Sequence, residues 1–319
     1  MIHNRIDIWN DGEYDYGAAY GFRPNLRSYL HEDEVRPCVL VIPGGGYRVV
    51  SPSEGEIVAK KFYDLGYQAF VGTYTTDFIG NTPLKTQPLR DISRMVRVIR
   101  ARAGEYGVDP DRIVLCGFSA GAHLCGSLCV HWRDVEDSAY GVSNRPDGAI
   151  LSYPVITSGK YAHRDSFAAL LGEDPDEKEL EYLSLEKQVT NDTPPVFLWQ
   201  TATDELVPVQ NSCLMASALM EKGIPMALHI FSKGKHGLSL GNVQWEDPVL
   251  EEPYTLEQMA CIERAAKEGR LTVDPFRMRL MAFFLRREGQ APWPAEEDWP
   301  GPEVTVWPDL AACWIRKTI

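Results

Sequence analysis

The chain reads as an α/β protein with a mostly parallel central sheet and helices on both faces. Three observations predict this. Short apolar runs of buried-strand type alternate with helical stripes along much of the 319 residues. A Gly-x-Ser-x-Gly turn, Gly117-Phe118-Ser119-Ala120-Gly121, joins the apolar run at 113–116 to a helix-compatible stretch. The residues best suited to chemistry fall just past strand C-termini, where sheets of this kind keep their active loops.

In chain order, residues 1–35 hold two short strands, 6–9 and 26–30, joined by a Gly/Tyr-rich loop. A buried-type strand follows at 39–42. Ile57, Val58, Phe62 and Leu65 mark a helix over 54–65 that Gly66 stops. Residues 68–74 read as a strand. Leu89, Ile92, Met95, Val96 and Ile99 form one stripe of a helix that ends near Gly107. The Ser119 strand, a helix over 122–132 and a strand at 148–153 follow. Beyond them the pattern is strand 196–200, helix 209–222 stopped by Gly223 and Pro225, and strand 226–231.

The turn at Ser119 has a geometric logic. A sharp strand-to-helix bend strains the serine backbone and lifts its hydroxyl clear of the sheet. Side chains two positions either way would collide with the bend, so both are glycine. The helix that starts here aims its first N–H groups at any charge forming beside the serine.

An oxygen nucleophile needs a base, and the base needs an acid to orient it. The expected chain order is serine, acid, histidine. Asp204 follows the strand at 196–200 and is the expected acid, with adjacent Glu205 the alternative. His236 follows the strand at 226–231, between Gly234 and Gly237, and is the expected base. His229 lies inside that strand. His123 falls on the helix after Ser119 and reads as a structural residue bonding a nearby loop.

Pro43-Gly44-Gly45-Gly46-Tyr47 follows the strand at 39–42. Consecutive glycines let bare backbone approach a ligand. The N–H groups of Gly45 and Gly46, together with that of Ala120, are the expected oxyanion donors. A phosphate loop is the weaker reading, because no Gly-Lys-Ser/Thr follows. Tyr47 and Trp245 are the candidate substrate contacts.

The net charge is −13, which disfavours nucleic acid and anionic membrane surfaces as partners. No run of 18 apolar residues and no apolar leader is present, so neither a membrane span nor a signal peptide is expected. The seven cysteines are odd in number, and several fall in expected strands or helices; buried reduced thiols and a cytoplasmic location fit. Cys125 and Cys129 lie four apart on one helix, but no second ligand pair accompanies them, so no metal site is expected.

Three segments exceed the minimal pattern of what reads as one domain over 1–319. Residues 154–195 lie between the strand at 148–153 and the acid strand, the position of a cap that shapes a pocket. Residues 241–274 follow the histidine loop and include Trp245 and a helical stretch at 256–268; a wall of the site and a surface excursion are both open. A last amphipathic helix spans 274–287. The tail, 289–319, carries Trp293, Trp299, Trp307 and Trp314 among several prolines. It reads as a latch plugging grooves on its own or a neighbouring subunit, with a carbohydrate-stacking platform the alternative. A homo-oligomer stays open.

Taken together, Pro43–Tyr47, Gly117–Gly121 with His123-Leu124, Thr203-Asp204 with Val207-Pro208, and Gly234-Lys235-His236-Gly237 resemble the α/β-hydrolase carboxylesterases. Within them the chain is most similar to the bacterial acetyl esterase and acetyl-xylan esterase group, which takes in some feruloyl esterases. The likeness covers roughly residues 25–240 plus the helix at 274–287. It implies the α/β-hydrolase fold with a small cap insertion, and Ser119 as nucleophile, Asp204 as acid and His236 as base. It implies no metal or organic cofactor, and ester substrates that are often acetyl groups on plant-derived oligosaccharides. Two departures stand out: Pro43 replaces the histidine of lipase-like relatives, and Thr75 follows Tyr74 where many relatives have arginine.

The expected function is therefore a serine carboxylesterase that removes short acyl groups, acetyl first, from oligosaccharides such as xylo-oligosaccharides. A broad short-chain carboxylesterase or a feruloyl-type esterase is the alternative among enzymes. A non-catalytic binding scaffold is the alternative of a different class.

Overall fold

The computed structural model describes residues 4–80, 82–135, 137, 139–246, 254–285 and 301–319. Its elements run β1 Arg5–Asp7, β2 Asn25–Tyr29, β3 Arg36–Ile42, α1 Glu56–Asp64, β4 Gln68–Thr73, α2 Gln87–Ala101, α3 Ala103–Tyr106, β5 Val108–Phe118, α4 Ala120–His131 and β6 Gly148–Ser152. They continue α5 Arg164–Leu171, α6 Glu177–Tyr182, β7 Val196–Thr201, α7 Gln210–Glu221, β8 Met226–Phe231, α8 Val243–Glu246, α9 Glu257–Lys267, α10 Pro275–Leu285 and α11 Trp307–Thr318.

The strands form one sheet in the order β1-β2-β4-β3-β5-β6-β7-β8. β2 is antiparallel to both neighbours, and the remaining pairings are parallel. This is the α/β-hydrolase fold expected from the sequence. The central strands are apolar on both faces because both faces are covered. In β3, Cys38, Leu40 and Ile42 enter one core while Val39 and Val41 enter the other. Leu198 and Phe197 divide in the same way on β7. Helices α2, α4 and α7 close the first core through residues such as Ile92, Leu128 and Leu219. The second is closed by α1 and α11, through Val58, Phe62, Trp307, Ala311 and Ile315.

This topology positions the site. From β3 the chain goes to β4 on one side and returns to β5 on the other. The loops after β3 and β5 therefore diverge and leave a crevice at the carboxyl edge. Ile42 is in register with Gly117, so the glycine loop lies beside the Ser119 turn. No helix among the described residues is long and apolar enough to cross a membrane.

The tail packs on its own chain, in the manner of the latch expected from the sequence, and its end is helical. Residues Trp307–Thr318 form a helix, and Pro308 sits at its start, where proline's missing N–H costs nothing. Trp307 is 0 % exposed and stacks on Trp199 with centroids 5.2 Å apart. Trp314 packs on Phe197. Both serve their own chain's packing, and a sugar platform on Trp307 is excluded by its burial. The expectations for Trp293 and Trp299 lie outside the described residues.

The segment after the histidine loop packs against the β2–β4 side of the sheet. Tyr254 and Tyr29 share a hydrogen bond of 2.8 Å, and the Gln258 amide both accepts from and donates to the Thr76 backbone at 2.8 and 2.7 Å.

Candidate active site

Ser119 follows β5 directly and has φ 52° and ψ −118°, a conformation that L-residues rarely adopt. Neighbouring contacts hold it there. Its N–H donates to the Ser152 carbonyl at 3.0 Å, and its carbonyl accepts from His123 at 3.1 Å. Gly121 makes the bend possible: a Cβ there would sit 2.3 Å from the carbonyl oxygens of Ile42 and Pro43. Ser119 itself is 7 % exposed.

The Ser119 Oγ lies 2.8 Å from His236 Nε2, and His236 Nδ1 lies 2.7 Å from Asp204 Oδ2. Because Asp204 accepts, the neutral ring carries its proton on Nδ1 and offers Nε2 to the serine hydroxyl. The other Asp204 oxygen accepts from the N–H groups of Leu206 and Val207 at 3.0 and 2.9 Å. Of the two acids left open by sequence, it is Asp204 whose carboxylate meets the ring, whereas Glu205 is exposed. The acid and histidine loops are stitched together: Thr201 and Thr203 hydroxyls both donate to the Gly234 carbonyl, at 2.8 and 3.0 Å.

Beside the serine, the glycine loop turns tightly. Gly45 has φ 116°, and a Cβ on it would meet the Val49 carbonyl oxygen at 2.3 Å. Its own carbonyl accepts from Arg48 and Val49. A Cβ on Gly44 would sit 2.9 Å from the Ser119 Cβ, so bare backbone runs against the serine. Ala120 opens α4, where the first N–H groups have no partner within the helix. The glycine loop and the start of α4 thus both lie against Ser119.

The two expected substrate contacts both make bonds within the protein. Tyr47 is 1 % exposed, and its hydroxyl is committed to His123 Nδ1 at 2.8 Å, so it packs beneath the loop. Trp245 is 8 % exposed and donates from its indole N–H to the Gly237 carbonyl at 3.0 Å. It backs the histidine loop. His123 bonds the 154–195 segment through Leu183 at 3.0 Å, and burial pushes its pKa down to about 4, so it stays neutral.

Sequence reasoning missed three neighbours. His163 and Asp165 reach in from the segment between β6 and β7: from a Cβ placed on Gly46, Asp165 Oδ2 and His163 Cε1 would be 3.7 and 3.9 Å away. Burial and then the nearby His236 charge push His163 below the ordinary imidazole range. The third is Glu54, read from sequence only as the start of a helix. Its carboxylate is buried and accepts from the Gly44 N–H at 2.8 Å. Only an acidic residue at an unusually buried helix-start position could have marked it.

Comparison with known proteins agrees with the fold. The family model described as BD-FAE matches residues 28–219. Endo-1,4-beta-xylanase B of Butyrivibrio fibrisolvens is 53 % identical over 258 residues, covering 80 % of this chain and 41 % of that protein. An acetylxylan esterase of Xylanibacter ruminicola is 29 % identical over 259 residues, covering 76 % of this chain and 52 % of that one. The chain thus spans about half or less of the curated relatives it matches. Among solved structures, an acetyl ester-xyloside bifunctional hydrolase from Caldicellulosiruptor lactoaceticus superposes with a TM-score of 0.69 at 35 % identity, covering 84 % of this chain and 97 % of that one. The match runs from the sheet through the glycine loop, Ser119 and Asp204, over more than half the sequence, and the chain belongs to the BD-FAE family.

Proposed function

We propose that the protein is a serine carboxylesterase that removes short acyl groups, acetyl foremost, from hydroxylated carbohydrates such as xylo-oligosaccharides. The observation that carries this is the hydrogen-bonded line Asp204–His236–Ser119. In this reading Ser119 Oγ attacks the ester carbonyl carbon as its proton passes to His236 Nε2. The N–H groups of Ala120, Gly45 and Gly46 hold the oxyanion. His236 returns the proton to the leaving alcohol, the carbonyl re-forms, and an acyl-Ser119 ester remains. Water then gives a proton to His236 and attacks the same carbon; the acid leaves, and Ser119 recovers its proton. Asp204 holds the ring and stabilises its cation throughout. We read the chain as one unit, with 154–195 as its cap.

The polar rim supports a sugar as the leaving group. Arg48 bridges Asp77 and Asp165 at 3.1 Å each, beside His163. Hydrogen-bonding groups at this position suit a polyol better than a fatty chain. Relatives named for a xylanase and an acetylxylan esterase support the same class of alcohol. The seven cysteines, all free, support a reducing compartment, the cytoplasm.

Turnover of an acetylated xylo-oligosaccharide, p-nitrophenyl acetate and a feruloyl ester, measured side by side, tests the specificity. The expected result is the highest kcat/KM on the acetylated sugar. A clear preference for the aryl acetate would favour a broad short-chain carboxylesterase instead. Asp204→Asn tests the roles: the amide can offer its NH2 to Nδ1, which favours the wrong ring tautomer, and it carries no charge to stabilise the imidazolium, so kcat on p-nitrophenyl acetate should fall about 10³–10⁴-fold with KM little changed. Loss of under tenfold would remove Asp204 from the mechanism.

A further inference from the structure

We infer that Glu54 and Tyr153 are positioning residues of this site: they lock the glycine loop to the histidine loop and set a second carboxylate behind His236. The inference rests on the proposed roles of Ser119, Asp204 and His236.

The geometry forms one directed chain. The Ser239 N–H donates to the Tyr153 hydroxyl at 3.1 Å, and that hydroxyl donates to Glu54 Oε1 at 2.6 Å. The Gly44 N–H donates to Glu54 Oε2 at 2.8 Å. Each carboxyl oxygen therefore accepts, which is the pattern of an ionised group. One end is anchored in the glycine loop and the other in the loop three residues past His236. The Tyr153 ring stands edge-on to the His236 ring with centroids 4.9 Å apart, between the imidazole and Glu54. Tyr153 itself has φ 36° and donates from its backbone to Trp199 at 2.7 Å, so its placement is enforced by neighbours on β7.

A buried carboxylate without a task is costly. Desolvation pushes Glu54 above the ordinary carboxylic range, opposed by hydrogen bonds from Tyr153, Gly44 and Ser51 and by the charge of His236. Attraction between opposite charges is mutual: a Glu54 anion favours the His236 cation that forms when Ser119 attacks. The other ionisable groups about His236 are Asp204, His163 and Tyr153, with Lys235 over the Trp245 ring; about Glu54 they are Tyr153 and Tyr74. Glu54 is thus a second carboxylate joined to the His236 surroundings through Tyr153.

Two variants test this, each assayed on p-nitrophenyl acetate across pH with melting temperatures recorded. Glu54→Gln removes the charge and leaves one contact donor against donor. Tyr153→Phe cuts the tie to Ser239 and keeps the carboxylate. Both should lower kcat about 30–100-fold with KM within roughly threefold, as expected for a misplaced reacting group. Glu54→Gln alone should move the acid limb of kcat/KM to lower pH, because the imidazolium loses an anion. Glu54→Asp should recover part of kcat and the wild-type acid limb, which a merely structural residue would not do.

A Glu54→Gln enzyme that melts cooperatively and keeps wild-type kcat, or loses kcat with an unmoved acid limb, overturns the inference. Should Glu54→Gln lose its cooperative melt, Tyr153→Phe decides: kcat within twofold of wild type overturns it, and a 30-fold loss with KM retained upholds it. Absence of Ser119-dependent hydrolysis in the wild-type protein would instead overturn the esterase reading, so the two failures are distinguishable.

Discussion

Ser119→Ala is expected to cut kcat on any ester about 10⁶-fold while the protein melts as the wild type does. The substitution removes one oxygen atom, and alanine tolerates the backbone angles of that position no worse than serine does. His236→Ala should cost nearly as much, because a hydroxyl without a base is a poor nucleophile. The double variant should be no worse than either single one, since the groups act as a unit. Initial rates of p-nitrophenyl acetate hydrolysis, corrected for the buffer reaction, read all three. A Ser119→Ala protein that retains a tenth of the activity would eliminate an acyl-Ser119 intermediate. It would also favour a scaffold role or a different nucleophile.

Trp307→Ala should be the most damaging change outside that line. The indole is fully buried, stacked on Trp199 and packed edge-on against Phe118, the residue before the serine. Its N–H donates to the Ser239 carbonyl at 2.8 Å. Truncating a buried tryptophan to alanine costs about 3–5 kcal/mol, here a fall in Tm of roughly 10 °C. Because Ser239 lies in the histidine loop, kcat should fall as well. Trp307→Phe separates the two effects: most of the packing stays, and only the hydrogen bond, worth about 1 kcal/mol, is lost. Thermal melts and kcat for both variants check this. A Trp307→Ala protein within 2 °C of wild type, an order-of-magnitude margin, would show α11 to be peripheral.

Much of this was legible before any coordinates. Strand and helix periods differ, so the alternation through β3, β4, β5, β6, β7 and β8 could be read directly, and with it the edge where loops converge. Ser119, Asp204 and His236 could be assigned to neighbouring loops because each follows an apolar run that can only be a strand. What stayed hidden was tertiary. Helix α11 was obscured by its prolines, although proline at a helix start is favourable. Tyr47 sits next to the glycine loop in sequence, yet its ring turns inward to His123. Glu54 and Tyr153 lie 99 positions apart, and nothing local marks a bond between them. Trp245, too, has a partner that the sequence does not mark: its indole braces Gly237.

The tryptophan at position 307 also has a consequence for biosynthesis. The loop that carries the imidazole leans on an indole encoded some 68 codons later. During translation the sheet can assemble as each strand emerges, but that loop waits for one of its props to follow. A nascent polypeptide would hold the serine turn and the glycine backbone in place before α11 docks and steadies the loop that carries His236.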